Sequence, residues 1–512
     1  MTRILSPTMF GKPNTLSILR VFAALLLGIT HAQSFAPLNA WWLELLCLAI
    51  LFWLALNQHT ARQASILGWA FGVGWFATGI DWIYISLHVY GHMHAALAIA
   101  AVGSLSGLLA LFPALTLALV HSLYPKPTRF SRPDKHRLLF SMTLVVASAW
   151  SLGEWARGTL FTGFPWLAIG YAHSDGPLTG YAAFIGVYGM SAIAAALAFL
   201  LSRIQHQCKL VIFFITTILL IGWLARQQQF THAIDPPLSV RLLQDNLAQD
   251  LKFDPRTLAD NLRRHADLLM SAPADLIVAP ETAFPIALDD LPAQLTQELS
   301  QFANTSGSQL LLGAIAYTPD NQPTNSLLTL NGYRYDKSHL VPFGEFIPWG
   351  FRWFVDLMSM PLGDMSSGRA EQAPLQVKGV ALAPNICYED VFGEEIAYRL
   401  RTHPAHILLN ATNIAWFGNT HAIDQHAQIA RLRSLETQLP TLRASNTGAT
   451  VFIDEKGEIR AQLPPFTTGS LLVQVQGRAG FTPFVRWGNT PLLIAIALIL
   501  SWCAWRRFYK TR

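Results

Sequence analysis

The sequence predicts a polytopic α-helical membrane protein of about eight spans, with one α/β domain inserted before the last of them. Three observations lead there. Only 13% of the 512 residues are charged and 52% are hydrophobic, whereas an ordinary soluble domain carries about 25% charged residues. The deficit is local: residues 16 to 225 hold nearly all the long apolar runs, and one more, Pro491 to Trp505, closes the chain. Residues 238 to 472, in contrast, read as globular sequence in which strand and helix patterns alternate.

The apolar runs place spans at 16–33, 38–57, 66–88, 95–123, 138–156, 177–201, 209–225 and 490–506. Each is close to the ~20 residues needed to cross the hydrocarbon core. Arg3 to Leu27 has the basic-then-apolar pattern of a signal peptide, but further spans follow at once, so it reads as an uncleaved first span. The expected organisation is a seven-span region at 1–226, a soluble domain at 227–489 with its core at 238–475, and a last span with a basic tail at 490–512.

Orientation follows from the loops. Basic residues cluster in alternate connections: Arg3 and Lys12; Arg62; Lys126, Arg129, Arg132, Lys135 and Arg137; Arg203 and Lys209; then Arg506, Arg507, Lys510 and Arg512. The other connections are nearly bare, Arg157 being the main exception. The positive-inside rule then puts both termini in the cytoplasm and the inserted domain outside, in the periplasm of a Gram-negative cell. That placement also accounts for the net charge of +5. No nucleic-acid-binding signature accompanies it.

Within the spans, Glu44, Asp81, Glu154 and Arg157 are polar. A charge at the bilayer centre costs roughly 3 kcal/mol or more, so these are expected near the interface or facing a cavity. Glu154 and Arg157 have the spacing of a helical pair. Gly68, Gly72 and Gly74 suit close helix contact, and Trp82, Trp155 and Trp166 suit an interfacial belt.

In the soluble part, strands are expected at Leu238–Gln244, Asp275–Ala279, Gln309–Ala316, Ser326–Leu330, Val377–Ala383, His406–Asn410, Thr450–Ile453 and Leu471–Val475, with helices at 255–271, 291–304, 391–402 and 422–438. Mixed hairpin and crossover connections predict a layered α/β sandwich.

Three groups sit at strand ends with chemistry to offer. Glu281 follows Leu276-Ile277-Val278-Ala279-Pro280, Lys337 follows Tyr333-Arg334-Tyr335-Asp336, and Cys387 ends an apolar run and precedes Tyr388-Glu389-Asp390. A thiol is only a few per cent thiolate at neutral pH. A carboxylate can take its proton, and a lysine can stabilise the thiolate or a tetrahedral oxyanion. A strand-to-helix turn adds backbone N–H groups that favour thiolate. Taken singly, each residue also fits a bland reading: surface carboxylate, surface lysine, small core cysteine. Cys387 is the only cysteine of the soluble domain, the others being Cys47, Cys208 and Cys503 in or beside spans. An unpaired thiol in an oxidising compartment suggests use. No Cys/His spacing fits a metal site, and neither metal nor cofactor is expected.

Pro280-Glu281, Lys337 with Val341-Pro342-Phe343-Gly344-Glu345, and Asn385-Ile386-Cys387-Tyr388-Glu389 resemble the Glu-Lys-Cys triad of the carbon–nitrogen hydrolase (nitrilase) superfamily. Over nearly its full length the chain looks like one branch of it, the bacterial apolipoprotein N-acyltransferases. Gly68–Gly91, Glu154-Trp155-Ala156-Arg157 through Trp166, Trp416-Phe417-Gly418 and Arg443-Ala444-Ser445-Asn446-Thr447-Gly448 share in the resemblance.

The resemblance implies an α-β-β-α sandwich and an enzyme without cofactor. Cys387 would take an acyl chain from a phospholipid as a thioester. It would then pass the chain to the N-terminal amine of a diacylglyceryl apolipoprotein, with Glu281 as base and Lys337 on the oxyanion. Glu345, Tyr388 and Glu389 would support them. A membrane-tethered amidase is the alternative. Trp349, Trp353 and Phe354, in the apolar stretch 346–360, are expected to form a lid at the lipid interface, unless that stretch is an ordinary core helix. Trp416 and Phe417 are expected at the substrate. Nothing requires more than a monomer. The chain departs from the family pattern at Phe253, Ile414 and Leu439, away from the triad.

Overall fold

The computed structural model describes residues 16–124, 134–252, 254–350, 352 and 364–509. Phe253, Phe351, Trp353, Phe354, Leu357 and Met358, together with Arg3, Lys12, Lys126, Arg129, Arg132, Lys510 and Arg512, lie outside the described residues.

The apolar runs form α1 (Ile18–Ala32), α2 (Trp41–Leu56), α3 (Ala61–Gly79), α4 (Ala95–Leu123), α5 (Lys135–Thr159), α6 (Ala182–Ser202) and α7 (Ile204–Arg226). Four helices of the described chain are long and apolar enough to cross a membrane, or five if α3 and the run Ile83–Tyr90, bent from it by 61°, form one span. The shorter apolar helices α1, α2 and Thr490–Arg506 bring the number to the expected eight.

Glycine sets the closest contacts of the bundle. A Cβ on Gly28 would lie 1.9 Å from the Phe71 carbonyl, and one on Gly74 would lie 2.2 Å from that of Leu25. α1 and α3 therefore touch backbone to backbone. Gly68 and Gly72 do the same for α3 against α4, where Pro113 and Ala110 approach.

Three of the four polar residues of the spans, Glu44, Glu154 and Arg157, are buried in protein. Glu44 Oε2 lies 3.0 Å from His173 Nε2. Glu154 and Arg157, though spaced to pair, bond instead to the loop after α5. Arg157 Nη1 donates to the carbonyls of Phe164 and Trp166, both at 2.6 Å, and Glu154 accepts from Ile169 N at 3.0 Å and Trp150 Nε1 at 3.1 Å. Asp81 is exposed and faces His421 at 3.2 Å. Trp82 and Trp166 are buried under the soluble domain, where both indole N–H groups donate to Gln425 Oε1, so they do not form a lipid-facing belt.

The domain runs β1 (Thr231–Ala233), β2 (Leu238–Gln244), α8 (Leu258–Met270), β3 (Leu276–Val278), β4 (Phe284–Ala287), α9 (Ala293–Ser306), β5 (Gln309–Tyr317), β6 (Pro323–Leu328), β7 (Arg334–Asp336), β8 (Leu375–Val377), β9 (Val380–Ile386), α10 (Gly393–Thr402), β10 (Ile407–Thr412), α11 (Ala422–Thr437), β11 (Thr441–Ser445), β12 (Val451–Ile453), β13 (Ile459–Gln462), β14 (Gly469–Val475) and β15 (Arg478–Gly480). α12 (Thr490–Tyr509) returns to the bundle.

One sheet has the order β14-β2-β3-β5-β6-β7, with β4 on β5; the other is β13-β12-β11-β10-β9-β8. Each has a parallel centre, β2/β3/β5 and β9/β10/β11, flanked by antiparallel strands. Alternation of side chains builds the layers. Val240, Leu242, Leu276, Val278 and Leu311 face Leu382, Ile386, Leu409 and Leu442 between the sheets. Leu243, Ile277, Leu310 and Leu312 turn outward onto α8 and α9, and Ala381 and Leu408 onto α10. The result is the α-β-β-α sandwich.

The stretch Val377–Ala383, expected as one strand, is instead the hairpin of β8 and β9. Lys378 and Gly379 have φ of 47° and 83°, and Val377 pairs with Val380. Two positive-φ residues between paired strands make a tight primed turn, which reverses the chain between two apolar flanks. β1 and β15 form a separate antiparallel ribbon at the root of the domain, with Thr231 opposite Gly480.

Candidate active site

The site lies where matching ends of the two sheets meet. Glu281 stands in the turn after β3, and the next residue, Thr282, has φ 50°. Lys337 follows β7, and its N–H donates to the Asn325 carbonyl at 2.8 Å, across the β6–β7 ladder. Cys387 ends β9 and opens a tight turn, Cys387–Val391, that leads to α10. Its φ is 52°. A left-handed conformation costs a non-glycine residue roughly 1–3 kcal/mol, and such strain gathers at working sites.

Lys337 is buried between two carboxylates, donating to Glu281 Oε1 at 3.2 Å and Glu345 Oε1 at 2.9 Å. Asn325 Nδ2 reaches the same two oxygens at 2.7 and 2.9 Å. The other Glu281 oxygen accepts from Asn413 N at 2.7 Å. Asn413 follows β10, and β10 sets Ala411 beside Ile386, so this bond ties Glu281 to the sheet that carries Cys387. The second Glu345 oxygen accepts from Val341 N at 2.9 Å. Lys252, also buried, donates from Nζ to the Glu281 carbonyl at 2.9 Å.

Electrostatics divide the roles. Burial pushes the Glu281 carboxyl up, but Lys337, Asn325 and Lys252 outweigh it and hold the group below its ordinary value. Burial would lower Lys337, yet Glu281, Glu345 and Cys387 raise it well above the usual range, so it stays charged. Burial first, then the Glu281 charge, pushes the Cys387 thiol up to about 12, with Lys337 and Thr412 opposing. The turn position does not yield the resting thiolate expected of it: the thiol is protonated beside an ionised carboxylate, and reaction requires a base.

Glu389 is fully buried and accepts five bonds. They come from Ser338 N (2.7 Å), Ser338 Oγ (2.6 Å), His339 N (3.2 Å), Ile386 N (2.6 Å) and the Tyr335 hydroxyl (2.9 Å). It clamps the segment after Lys337 to the Cys387 turn. Beneath that turn, Asp390 accepts from Arg443 Nη1 and contacts His426 Nε2, both at 2.6 Å. Asn410 Nδ2 donates to the Cys387 carbonyl at 3.1 Å.

The turn also rests on the bundle. The Tyr388 hydroxyl donates to the Gly163 carbonyl at 3.1 Å, in the loop that Arg157 fastens. A Cβ on Gly163 would lie 2.1 Å from the Gly158 carbonyl and 3.1 Å from the Phe392 ring. The Tyr171 hydroxyl donates to the Val391 carbonyl at 3.0 Å. Tyr388, Val391 and Phe392 belong to the same apolar core as the helices.

The structure thus brings Glu281, Lys337, Glu345, Tyr388 and Glu389 around the Cys387 turn. Phe417 packs edge-on to Trp82, with centroids 4.3 Å apart, and Trp416 lies 5.8 Å from the Tyr90 ring, both at the bend after α3. Trp349 is 98% exposed, and residues 346–350 are not helical, so this part of the stretch is no core helix. Sequence reading missed Asn325, Ser338 and Asn410. The available signal was polarity inside apolar strands, Thr324-Asn325-Ser326 in β6 and Asn410 in β10. Of the departures, Ile414 and Leu439 are buried apolar residues.

The profile of the apolipoprotein N-acyltransferase N-terminal domain matches residues 27–200, and that of carbon-nitrogen hydrolase matches residues 240–484. An apolipoprotein N-acyltransferase of Ralstonia nicotianae is 47% identical over 491 residues, covering 93% of this chain and 91% of the relative. Proteins of the same name from Bordetella bronchiseptica and Nitrosomonas europaea are 40% identical (92% and 94% covered) and 41% identical (94% and 96% covered).

Proposed function

The chain belongs to the apolipoprotein N-acyltransferase family, and from that premise we propose a two-stage acyl transfer on Cys387. Glu281 takes the thiol proton as sulfur attacks the ester carbonyl of a phospholipid. Lys337 stabilises the oxyanion. Collapse expels the lysophospholipid alkoxide, which recovers the proton from Glu281 and leaves a thioester on Cys387. The N-terminal amine of a diacylglyceryl apolipoprotein then attacks. Glu281 takes the amine's proton, the amide forms, and the thiol is restored. Glu345 holds Lys337 in place, and Glu389 and Tyr388 hold the turn.

The observation that carries this reading is the seating of the Cys387 turn on the membrane half, through Tyr388 on Gly163 and Tyr171 on Val391. Both substrates keep their reactive ends at a membrane surface, and this is where a thiol can meet them. Trp349, Trp416 and Phe417 are the apolar side chains proposed to receive acyl chains, and the enzyme acts as a monomer. The orientation proposed is both termini cytoplasmic and the sandwich periplasmic. In support, Arg20 bonds Gln58 in the connection that carries Arg62, and Gln207 beside Arg203 donates to the Lys135 carbonyl, so basic residues of separate connections meet at the same helix ends. The connections after α1, α3 and α5 contact α11 or its N-terminal flank.

The test is intact-mass analysis of purified enzyme incubated with phospholipid. An acyl adduct is expected, cleaved by hydroxylamine and absent in Cys387→Ala. A diacylglyceryl peptide should discharge it as N-acylated peptide. No adduct on active protein would sink the thioester, and release of fatty acid alone would favour a tethered hydrolase. A membrane-impermeant thiol reagent should reach Cys387 from the outer side; labelling from the cytoplasmic side would reverse the topology.

A further inference from the structure

Glu281 and Glu345 present a problem that Lys337 alone does not solve. Two carboxylates share the Lys337 ammonium, while Lys252 reaches only the Glu281 carbonyl, so two like charges meet side by side in a buried site. Like charges that close normally resolve by one group keeping a proton. Here a second donor spans the same pair. Asn325 Nδ2 lies 2.7 Å from Glu281 Oε1 and 2.9 Å from Glu345 Oε1. The oxygens are thus bridged twice, by an ammonium and by an amide. The amide adds donors without adding charge. Asn325 is 4% exposed, and its Oδ1 has no hydrogen-bond partner among the described residues.

That orphan oxygen is informative. The amide can face two ionised carboxylates only with its nitrogen, since they are acceptors alone. Its carbonyl is then left without a protein donor among the described residues, which is unfavourable. A position in a buried strand kept only for packing would favour a β-branched residue. The main-chain carbonyl of Asn325 also accepts the Lys337 N–H at 2.8 Å, so one residue sets the lysine backbone and both of its acids.

We propose that Asn325 is a positioning residue for acyl transfer, holding Glu281 and Glu345 side by side on Lys337 so that Glu281 remains the site's proton acceptor. The inference rests on the reading of Glu281 as base. The charged and titratable groups facing Glu281 are Lys337, Glu345, Lys252 and Cys387. Without the amide, the ionised form of Glu281 loses a donor, and Glu281 is ionised only at higher pH.

The experiment is the pH dependence of single-turnover Cys387 acylation by phospholipid, on the full chain in detergent, for wild type, Asn325→Leu, Asn325→Asp and Asn325→Ser. Asn325→Leu should move the acidic limb up by about one pH unit, so that acylation is about tenfold slower on that limb and approaches wild type in alkali. Asn325→Asp, which adds a third carboxylate, should move it further. Asn325→Ser keeps one donor and should fall between wild type and Asn325→Leu; it serves as the readout if the larger change does not fold. A folded variant with the wild-type rate and profile overturns the proposal. So does a loss equal at every pH that follows melting temperature, because that is a structural role. If wild type itself forms no adduct, it is the reading of the site that fails.

Discussion

The bundle and the sandwich both bury charge, and they use it in opposite ways. In the bundle each buried group ends on a neutral or opposite partner: Arg157 on the carbonyls of Phe164 and Trp166, Glu154 on an amide and an indole N–H, Glu44 on His173. The effect of the Arg157 and Glu154 bonds is to fix a loop. In the sandwich, Glu281 and Glu345 crowd one lysine beside a protonated thiol on a left-handed residue. Two like charges are held side by side next to the Cys387 turn. The first arrangement makes a platform and the second makes a reagent, and Tyr388 joins them.

Mutations should separate the two. The largest effect is on the chemistry: Glu281→Gln should slow Cys387 acylation about 10²–10⁴-fold with little change in melting temperature, measured by single-turnover mass spectrometry. If acylation survives, the base lies elsewhere. Next comes the platform. Arg157→Met strips the donors from two buried carbonyls, at roughly 1–3 kcal/mol each. Melting in detergent should fall, and activity should fall only as far as the folded fraction does. Gly28→Val should prevent α1 from docking on α3, seen as loss of the monodisperse species in size exclusion, since no flexible side chain can yield to the new Cβ. The smallest effect is at the seam: Asp81→Asn removes an exposed pair with His421 and should cost under about 1 kcal/mol, with the acylation rate unchanged.

The contrast has a pH signature. Glu281 is depressed below its ordinary value near 4.5, so its contribution to stability is present above that value and is lost as pH falls through the lower folded one. The thiol sits at about 12. Acylation should therefore be level between about pH 5 and pH 9, because Glu281 stays ionised and Cys387 protonated throughout. A rate climbing tenfold per unit across neutrality would mean that free thiolate, not Glu281, is the active form.

The parts that were legible in the sequence are those carried by local pattern. Apolar length gave the helices to within a few residues, and β2 to the residue, because lipid and sheet interior both demand uninterrupted apolarity. Glu281, Lys337 and Cys387 stood out because a polar residue closing an apolar strand has few other uses. What escaped depends on distant partners. Glu154 and Arg157 are spaced to pair, but carbonyls seven and nine residues after Arg157 outcompete that contact. Asn325 faces its two acids only once the chain has folded, and Trp82 is buried by Gln425, far along the chain. The hairpin at Lys378-Gly379 was missed because both flanks are apolar, although the Lys-Gly step between them is a turn signal.

The ribbon of β1 and β15 has a mechanical consequence. The chain rises from α7 and descends to α12 as a paired stalk, and α11 braces it where Gln438 holds Phe230 N at 2.7 Å and Thr482 Oγ donates to the Glu436 carbonyl at 2.6 Å. A single strand would let the sandwich swing; a braced pair sets its elevation above the bundle. The Cys387 turn is then held at a fixed height over the helices.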